Sequence, residues 1–511
     1  MLSLTKVLLG FGLVFQTNAF VLQFRNPTTC CSLLGAEFQG DTEPKVFSNT
    51  PLHASEYESL STYWTPAARL NATCIFTPTD AQDVSRAVRL FTRKNCQFAI
   101  RSGGHSYNPG WAGITNGVLV SLSKLNTISY DPETGHANVG AGNRWTDVYG
   151  ALLQHNVTVL GGRNSDLGVG GYLTGGGISY YANDRGWATD NIFSVEIVLA
   201  DGNIITANRN EHKELFRCIK GGSNNYGVIT KFVLETVDAS KPFNAFAIGY
   251  SAAANPEYLS QAYDYCTGGS DADPKSHIIF AASISKAAGF ANGLLVSYSD
   301  VFDTANPAPV LSPFFDGTIP GMTAMGPLSA NGTIKIATDL LSFVQAPGTR
   351  YAMGTFSVYA DAALFQTMRD IWEEETTTQL KDRPGFMTEF AFQPIGWKWL
   401  AASAARGGNS FGITKPLVMV WVQPRWDLAS DDDIMVAYTD RVRIRCEQAA
   451  QAVGKFAKFR HLNYGGRNQR NEIIPSFGAA NVLRMQVNKV RYDPLNVFGR
   501  LVPGGFKIPG F

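Results

Sequence analysis

The sequence Arg-Ser-Gly-Gly-His-Ser at residues 101–106 and the sequence Gly-Val-Gly-Gly-Tyr-Leu-Thr-Gly-Gly-Gly at residues 168–177 decide the fold prediction. A third glycine-rich turn, Gly-Gly-Ser-Asn-Asn-Tyr-Gly, occupies residues 221–227. Glycine permits positive φ and close backbone approach, so the N–H groups of such turns can converge on phosphate oxygens. The three turns therefore predict a glycine-lined cleft that fits a ligand carrying a pyrophosphate.

Two common nucleotide-binding signatures are absent from these turns. The run that begins at Gly168 has Leu173 where the dinucleotide fingerprint of nicotinamide enzymes requires its last glycine. No glycine-rich turn is followed by Lys-Ser or Lys-Thr, as the Walker pattern requires. The sequence thus excludes the usual Rossmann and P-loop motifs. A ligand that carries a pyrophosphate must therefore be bound by a different motif.

Length and composition narrow the class of protein further. The chain has 511 residues, of which 45% are hydrophobic and 12% aromatic, so it can bury more than one core and is not disordered. Its 43 basic and 42 acidic side chains leave a net charge of +1. Such a balance provides no field that would attract nucleic acid or an anionic membrane. We expect neither as a partner.

The first residues predict secretion. Lys6 precedes the apolar run 7–15, and small residues follow at Thr17 and Ala19, which is typical of a cleaved signal peptide over residues 1–19. The apolar run is too short to span a bilayer. Three sequons, at Asn71, Asn156 and Asn331, are predicted glycosylation sites in a secreted chain.

Secretion also gives the cysteines a structural meaning. Cys30, Cys31, Cys74 and Cys96 lie in the first fifth of the chain, and an oxidising compartment favours two disulfides among them. Because Cys30 and Cys31 are adjacent, each is expected to pair with one of the other two. The sequence leaves open which pairs with which.

The hydrophobic pattern predicts an α+β fold in several parts. Residues 68–243 alternate short strands with helices, including a capping box at residues 79–82 and a hairpin at Asp201-Gly202. Residues 244–455 contain broader apolar strands separated by helical stretches, which is typical of a sheet capped on one face. Residues 20–67 form an N-terminal segment, and residues 456–511 a C-terminal segment.

The order of these motifs resembles the flavin domain of the vanillyl-alcohol oxidase superfamily. The chain looks like a fungal-type berberine-bridge-enzyme-like oxidase from about residue 30 to residue 507. The motifs that carry this narrower resemblance are Cys30-Cys31, residues 221–227, Leu462-Asn-Tyr464, Tyr492-Asp-Pro494 and Gly504-Gly-Phe-Lys507. The resemblance implies a two-part FAD-binding domain, which residues 68–243 begin and residues 456–511 complete. It also implies a substrate domain with an antiparallel sheet capped by helices.

The resemblance implies a covalent flavin. In that family the histidine of the first glycine turn, here His105, bonds to the flavin 8α-methyl carbon. Many relatives add a cysteine tether shortly before the second turn, but Asn164 holds that place, and no cysteine lies between Cys96 and Cys218. We therefore expect FAD with a single covalent link at His105.

The resemblance also implies which residues bind FAD and which act on substrate. The expected FAD-binding residues are Arg101, Ser102, Gly103, Gly104, His105, Ser106, Gly168, Val169, Gly170, Gly171, Tyr172, Gly175, Gly176, Asp190, Asn191, Val228 and Asn463. Tyr464, on an expected strand 462–464, is the candidate base, with its pKa lowered near the flavin. His461 is an alternative base, and Glu389 is the candidate counterpart of the glutamate base of plant relatives. No metal is expected.

These expectations combine into a secreted FAD-dependent oxidase. It would oxidise an alcohol or similar C–H donor by hydride transfer and reduce O₂ to H₂O₂. Phe390, Trp397, Trp421 and Trp426 predict an apolar or aromatic substrate pocket. Three alternatives stay open: a secondary-metabolite tailoring enzyme in which oxidation drives a cyclisation, a dehydrogenase with another electron acceptor, and a scaffold that has lost the flavin.

Overall fold

A computed structural model describes residues 24–345 and 347–511, and the predicted signal peptide, residues 1–19, lies outside them. The helices are α1 Pro27–Glu37, α2 Ala54–Leu60, α3 Ala81–Lys94, α4 Trp145–Leu153, α5 Val169–Thr174, α6 Ala182–Arg185, α7 Lys213–Ile219, α8 Asn255–Asp264, α9 Ser270–Ala272, α10 Ile334–Val344, α11 Ala362–Gln379, α12 Trp397–Ala405, α13 Asp432–Ala452, α14 Ala479–Tyr492 and α15 Val497–Arg500. The strands are β1 Val46–Ser48, β2 Cys74–Phe76, β3 Phe98–Arg101, β4 Val118–Ser121, β5 Ile128–Asp131, β6 His136–Gly140, β7 Val157–Thr158, β8 Ile192–Val198, β9 Ile204–Asn208, β10 Val228–Glu235, β11 Val237–Asp238, β12 Phe243–Ser251, β13 Ser276–Ser285, β14 Gly289–Tyr298, β15 Met322–Gly332, β16 Arg350–Tyr351, β17 Gly354–Val358, β18 Met387–Ile395, β19 Leu417–Trp426 and β20 Phe456–Ala457.

The glycine turns are held by two small sheets in the first half of the chain. The first sheet has the order β1-β2-β4-β3, with β2 and β3 both parallel to β4. The second sheet has the order β5-β6-β10-β8-β9 and is antiparallel throughout. The turn at residues 101–106 leaves the end of β3, and the turn that begins at Gly168 opens α5. Rigid strand and helix ends therefore position both turns.

The second half of the chain builds one large antiparallel sheet. Its order is β15-β12-β14-β13-β18-β19-β17-β20, with β16 paired to β19. One face packs against helices α8, α11 and α13 around a buried aromatic core that includes Tyr258, Trp372 and Tyr438. The opposite face looks toward the glycine turns. The predicted α+β class, with an antiparallel sheet capped by helices, is confirmed.

Two local predictions were wrong. The expected capping box at residues 79–82 is replaced by Asp80 as N-cap, whose Oδ1 accepts the Asp83 N–H at 2.8 Å. A carboxylate at the N-cap satisfies that helix donor without a glutamine three residues on. Residues Leu462–Tyr464 form a single 3₁₀ turn and not a strand. The predicted hairpin is confirmed, because β8 pairs with β9 around Gly202 at φ +83°.

The four N-terminal cysteines form two disulfides, as predicted. Cys30 pairs with Cys96 and Cys31 pairs with Cys74. The two bridges fix α1 against both the start of β2 and the short link between α3 and β3, so the N-terminal segment is bonded to the first sheet. A search of the described residues finds no helix with the length and apolar character that crossing a membrane requires. Asn71, Asn156 and Asn331 are all exposed, and their glycosylation stays a prediction.

Candidate functional site

A cavity of about 810 Å³ lies between the glycine turns and the open face of the large sheet. The turns at residues 102–106 and 168–172 form one wall, and β13, β14, β18 and β19 form the other. The turn at residues 223–228 and Gly505-Phe506 close one end, while Leu462–Gly465 lies at another. The volume is within the range of sites for ligands of cofactor size.

The two principal glycine turns cross in backbone-to-backbone contact. A Cβ on Gly103 would lie 2.5 Å from the Cα of Gly168, and a Cβ on Gly168 would meet Gly103 at the same distance. No side chain fits at either position, because the obstructing atoms are main chain. Gly171 differs, since a Cβ there would meet no atom within 4 Å and the residue lines the cavity. The crossing thus brings main-chain atoms to the cavity wall and leaves open space in front of them.

Ser102 and Arg144 hold this crossing together. Ser102 Oγ donates to the carbonyl of Ala141 at 2.7 Å and accepts the N–H of Gly170 at 3.1 Å. Arg144 donates to the carbonyl of Gly103 at 2.7 Å and also to that of Asp166. These bonds tie the two turns to each other and to the Ala141 main chain, and they place the positive charge of Arg144 beside the crossing.

His105 is held in an aromatic stack at the cavity wall. Its ring lies 4.3 Å from the ring of Trp64 between centroids, and Trp64 lies 4.1 Å from Tyr351. The Nε2 atom of His105 is buried and has no hydrogen-bond partner in the structure. Burial lowers the pKa of His105 to about 3, and the charge of Arg144 acts in the same direction. The imidazole is therefore neutral at neutral pH, which is the form that can act as a nucleophile.

Most of the predicted FAD-binding residues lie on this cavity wall. Those that line it are Ser102, Gly103, Gly104, His105, Ser106, Gly168, Gly170, Gly171, Tyr172, Val228 and Asn463. Those placed behind the wall are Arg101, Val169, Gly175, Gly176, Asp190 and Asn191.

The residues behind the wall have structural contacts that explain their identity. Arg101 donates to the carbonyl of Thr62 and to Ser121 Oγ, each at 3.1 Å. Asp190 accepts from the Asn409 amide at 3.1 Å, and burial raises the pKa of its carboxyl. Asn191 donates to two nearby main-chain carbonyls. These side chains fix the elements that carry the turns and do not reach the cavity.

Asn463 and Tyr172 join the C-terminal segment to the second turn. The Asn463 amide donates to the carbonyl of Tyr172 at 3.0 Å. A Cβ on Gly175 would collide with Asn463 Oδ1 at 1.8 Å, which explains the glycine. The Tyr172 hydroxyl donates to the carbonyl of Gly161 at 2.8 Å. The C-terminal segment is therefore part of the same site as the turns.

Tyr464 lies at a polar end of the cavity. Its hydroxyl accepts a hydrogen bond from Arg163 and lies 3.5 Å from Gln393 Oε1. Its ring packs 4.9 Å from that of Trp421. Burial raises the pKa of Tyr464 and Arg163 opposes that effect, but the net direction is upward. The protein alone therefore does not give the lowered pKa that the sequence analysis expected.

His461 is buried beside Tyr464. The two rings meet edge to face at 4.6 Å, and Nδ1 of His461 has no hydrogen-bond partner. Burial lowers the pKa of His461 to about 3, with a smaller contribution from Arg163. A base with so low a pKa holds a proton weakly at neutral pH. Of the two candidates, Tyr464 has the better-placed polar atom.

Glu389 also lines the cavity, but it does not lie beside Tyr464. It stands on β18 four residues before Gln393, which corresponds to about 13 Å along a strand. It pairs in register with Gln423 on β19, near Arg425. Burial raises the pKa of Glu389. The structure thus separates Glu389 from the other two candidate bases.

Only one of the four predicted pocket aromatics faces the cavity. Trp421 lines it, whereas Phe390 and Trp426 lie in the core beneath the helices. Alternate residues of a strand point to opposite faces, so Phe390 is directed away from the cavity while Ala391 faces it. Trp397 begins α12 and is 60% exposed. The apolar wall is instead built from smaller side chains, including Ile279, Met353 and Leu295.

Sequence reasoning missed Arg163 and Trp64. Arg163 stands beside Asn164, whose Oδ1 accepts from Ser342 at 2.7 Å and whose buried Nδ2 has no partner. The lone arginine in the stretch Gly162-Arg-Asn-Ser165 is the sequence signal that could have identified this residue. Trp64 gave no signal, because nothing in the sequence connects residue 64 to residue 105.

The residues present fit a bound FAD. The crossed glycine turns present their main chain beside Arg144, and open space lies in front of Gly171. His105, whose ring is neutral and whose Nε2 has no hydrogen-bond partner in the structure, is the residue predicted to attach the flavin. The part of the chain that the structure describes shows no group of three or more His, Cys, Asp or Glu able to hold a metal ion. Fold and site together define a flavin-dependent oxidoreductase.

Comparison with known proteins agrees with this class. A family model described as an FAD binding domain matches residues 72–208. The chain is 30% identical over 507 residues to the "FAD-dependent monooxygenase tpcD" of Cochliobolus heterostrophus, with 96% of each chain covered. It is 31% identical over 443 residues to the "Bifunctional solanapyrone synthase" of Alternaria solani, with 86% of this chain and 82% of the relative covered.

Solved structures share the fold. The glucooligosaccharide oxidase of Acremonium strictum superposes with a TM-score of 0.77 at 17% identity, over 96% of this chain and 100% of the other. The Physcomitrella patens BBE-like 1 protein gives 0.72 at 20% identity, over 94% and 100%. The chain belongs to a family of FAD-dependent oxidoreductases that includes these fungal relatives, and it shares its fold with the BBE-like 1 protein and the glucooligosaccharide oxidase.

Proposed function

We propose that the protein carries FAD bonded once, to His105, and oxidises an alcohol or a similar C–H donor. Bound FAD supplies a two-electron acceptor that can take a hydride from carbon. The substrate loses a hydride and a proton to become a carbonyl compound, and O₂ takes up two electrons and two protons to become H₂O₂. The observation that carries the proposal is the neutral, unpartnered imidazole of His105 at the cavity wall.

A single link is proposed because the second attachment point is chemically inert. One solved glucooligosaccharide oxidase structure is described as containing a 6-S-cysteinyl, 8α-N1-histidyl FAD. Here Asn164 occupies the place where many relatives carry the cysteine, and its amide cannot form a thioether. The free cysteines among the described residues, Cys218, Cys266 and Cys446, are buried and do not line the cavity.

The substrate is proposed to be largely apolar, with one hydroxyl. Trp421, Ile279 and Met353 form a smooth apolar wall next to Tyr464. Tyr464 is the proposed base because its hydroxyl faces the cavity, while the aliphatic wall excludes water from the reacting carbon. We propose secretion on the basis of the predicted signal peptide, together with the two disulfides.

The test combines product analysis with isotopically labelled O₂. An alcohol oxidase gives a carbonyl product without label and one H₂O₂ per carbonyl. Label in the organic product would overturn the proposal in favour of monooxygenation, the activity for which several relatives are named. Tyr464→Phe should lower the rate of flavin reduction strongly. The matched control is Tyr298→Phe, a tyrosine outside the cavity lining whose hydroxyl donates to Asp273 Oδ2 at 3.0 Å and should not affect that rate.

A second candidate is oxidation that triggers ring closure in a secondary metabolite. The similarity to a bifunctional solanapyrone synthase over 86% of this chain favours it. A cavity of about 810 Å³ with an apolar wall would let a flexible product fold before release. The two candidates differ in product: an open-chain carbonyl compound in the first case, and a cyclised isomer of that compound in the second.

A further inference from the structure

Arg163 is a cation at the cavity wall without an anionic partner. Its Nη1 donates to His277 Nε2 at 3.0 Å, and its Nη2 donates to the hydroxyl of Tyr464. No carboxylate of residues 24–345 or 347–511 forms an ion pair with it. An inward guanidinium that contacts only neutral groups is costly unless a negative charge forms beside it.

Of the two side chains to which the Arg163 guanidinium donates, only Tyr464 can become an anion. His277 is buried, and both burial and the arginine lower its pKa well below the usual value, so it stays neutral. Gln393, which lies 3.5 Å from both His277 and Tyr464, does not titrate. Loss of the Tyr464 proton would place a phenolate opposite the guanidinium and add the attraction between two opposite charges to the existing hydrogen bond.

Among the described residues that contact Tyr464, only Arg163 carries a charge. His461 from the C-terminal segment is neutral, and Trp421 from β19 is apolar. Tyr107 and Tyr172 are buried tyrosines, and burial raises the pKa of each well above its usual value. Arg163 is therefore the one formal charge that acts on the Tyr464 hydroxyl among these neighbours.

We propose that Arg163 is a positioning residue that stabilises the phenolate of Tyr464 and so makes this tyrosine the base for a substrate hydroxyl. The inference rests on the proposed function of Tyr464. The phenolate oxygen would take the hydroxyl proton as the carbon loses its hydrogen together with the C–H electron pair and a C=O double bond forms; bound FAD would supply the acceptor for that hydride. The assignment narrows the substrate to donors with an O–H or N–H on the carbon that is oxidised.

The test is an ultraviolet titration of tyrosinate in the flavin-loaded protein without substrate. Subtracting the Tyr464→Phe curve from the wild-type curve isolates the titration of Tyr464. In Arg163→Met this titration should move to higher pH by about one to three units, the usual effect of an opposite charge at this distance. Arg163→Lys keeps the charge and should restore most of the shift.

The matched control is Arg425→Met. Arg425 also lines the cavity but stands four residues beyond Trp421 on β19, about 13 Å further along the strand, so its loss should not move the Tyr464 titration. A Tyr464 titration that is the same in wild type, Arg163→Met and Arg163→Lys would overturn the proposal. If Arg163→Met does not fold, Arg163→Gln serves as the neutral replacement. A Tyr464 titration that is the same in wild type, Arg163→Lys and Arg163→Gln would then overturn the proposal. No substrate is used, so failure to find an oxidised alcohol leaves this result standing.

Discussion

Replacing Gly171 by alanine should stabilise the polypeptide and impair flavin loading at the same time. Gly171 lies inside α5 with negative φ, and an added Cβ meets no protein atom within 4 Å. Alanine in place of a helical glycine stabilises by about 0.5–1 kcal/mol. The same methyl group projects into the cavity, where overpacking against a bound ligand costs about 1–3 kcal/mol, or roughly 5- to 150-fold in affinity.

Two measurements on purified protein separate the gain in stability from the loss of flavin. The flavin content per polypeptide comes from visible absorbance, and the stability of the flavin-free fraction comes from its denaturant midpoint. The matched control is Gly150→Ala in α4, where the new Cβ would lie 3.4 Å from the flexible Lys335 side chain and outside the cavity wall. This control should gain stability and keep its flavin. Full flavin content in Gly171→Ala would show that FAD does not approach this wall.

Three further predictions concern attachment, acid stability and the disulfides. His105→Ala should release its flavin into the supernatant on acid precipitation, whereas wild-type protein should keep it in the pellet; flavin that stays in the variant's pellet would place the bond elsewhere. Because burial lowers the pKa of His461 to about 3 while the unfolded chain titrates near 6.5, stability is lost as pH falls through that window. The free energy of unfolding falls by about 2 kcal/mol at pH 5 for this reason. Denaturation of His461→Gln at pH 7 and pH 5 should lack this fall. Removing the Cys30–Cys96 disulfide, which closes a 66-residue separation, should cost up to about 4 kcal/mol; an unchanged denaturation midpoint in the double serine variant would contradict this.

The sequence predicted those parts of the site that depend on local main-chain geometry. Gly103, Gly168 and Gly171 are glycines for reasons that act within a turn or between two turns, and such positions leave a visible cluster. His105 stands inside one of these clusters. The crowding of the four cysteines predicted that they form two disulfides. Which cysteines pair depends on the side of α1 that each thiol faces, and only the folded structure shows that.

Contacts between distant segments left no trace in the sequence. The partners of Arg163 are residues 277 and 464, more than a hundred and three hundred positions away. The strand predicted at residues 462–464 failed because three apolar and polar residues in a row do not distinguish an extended chain from a 3₁₀ turn. Asp190 and Phe390 matched expected motifs or compositions, yet each points into a core, because pattern alone does not fix the side on which a side chain falls.

The stack of Trp64, His105 and Tyr351 has a practical consequence for shortening the chain. Its three rings come from the N-terminal segment, the first glycine turn and β16 of the large sheet, and the Trp64 main-chain N–H also bonds to the Gly104 carbonyl at 3.1 Å. A chain trimmed to start at residue 68, where the FAD domain was expected to begin, would retain every glycine of both turns. It would nevertheless lose Trp64, the ring that stacks on His105. A shortened chain that keeps this stack must therefore begin before Trp64 and extend beyond Tyr351.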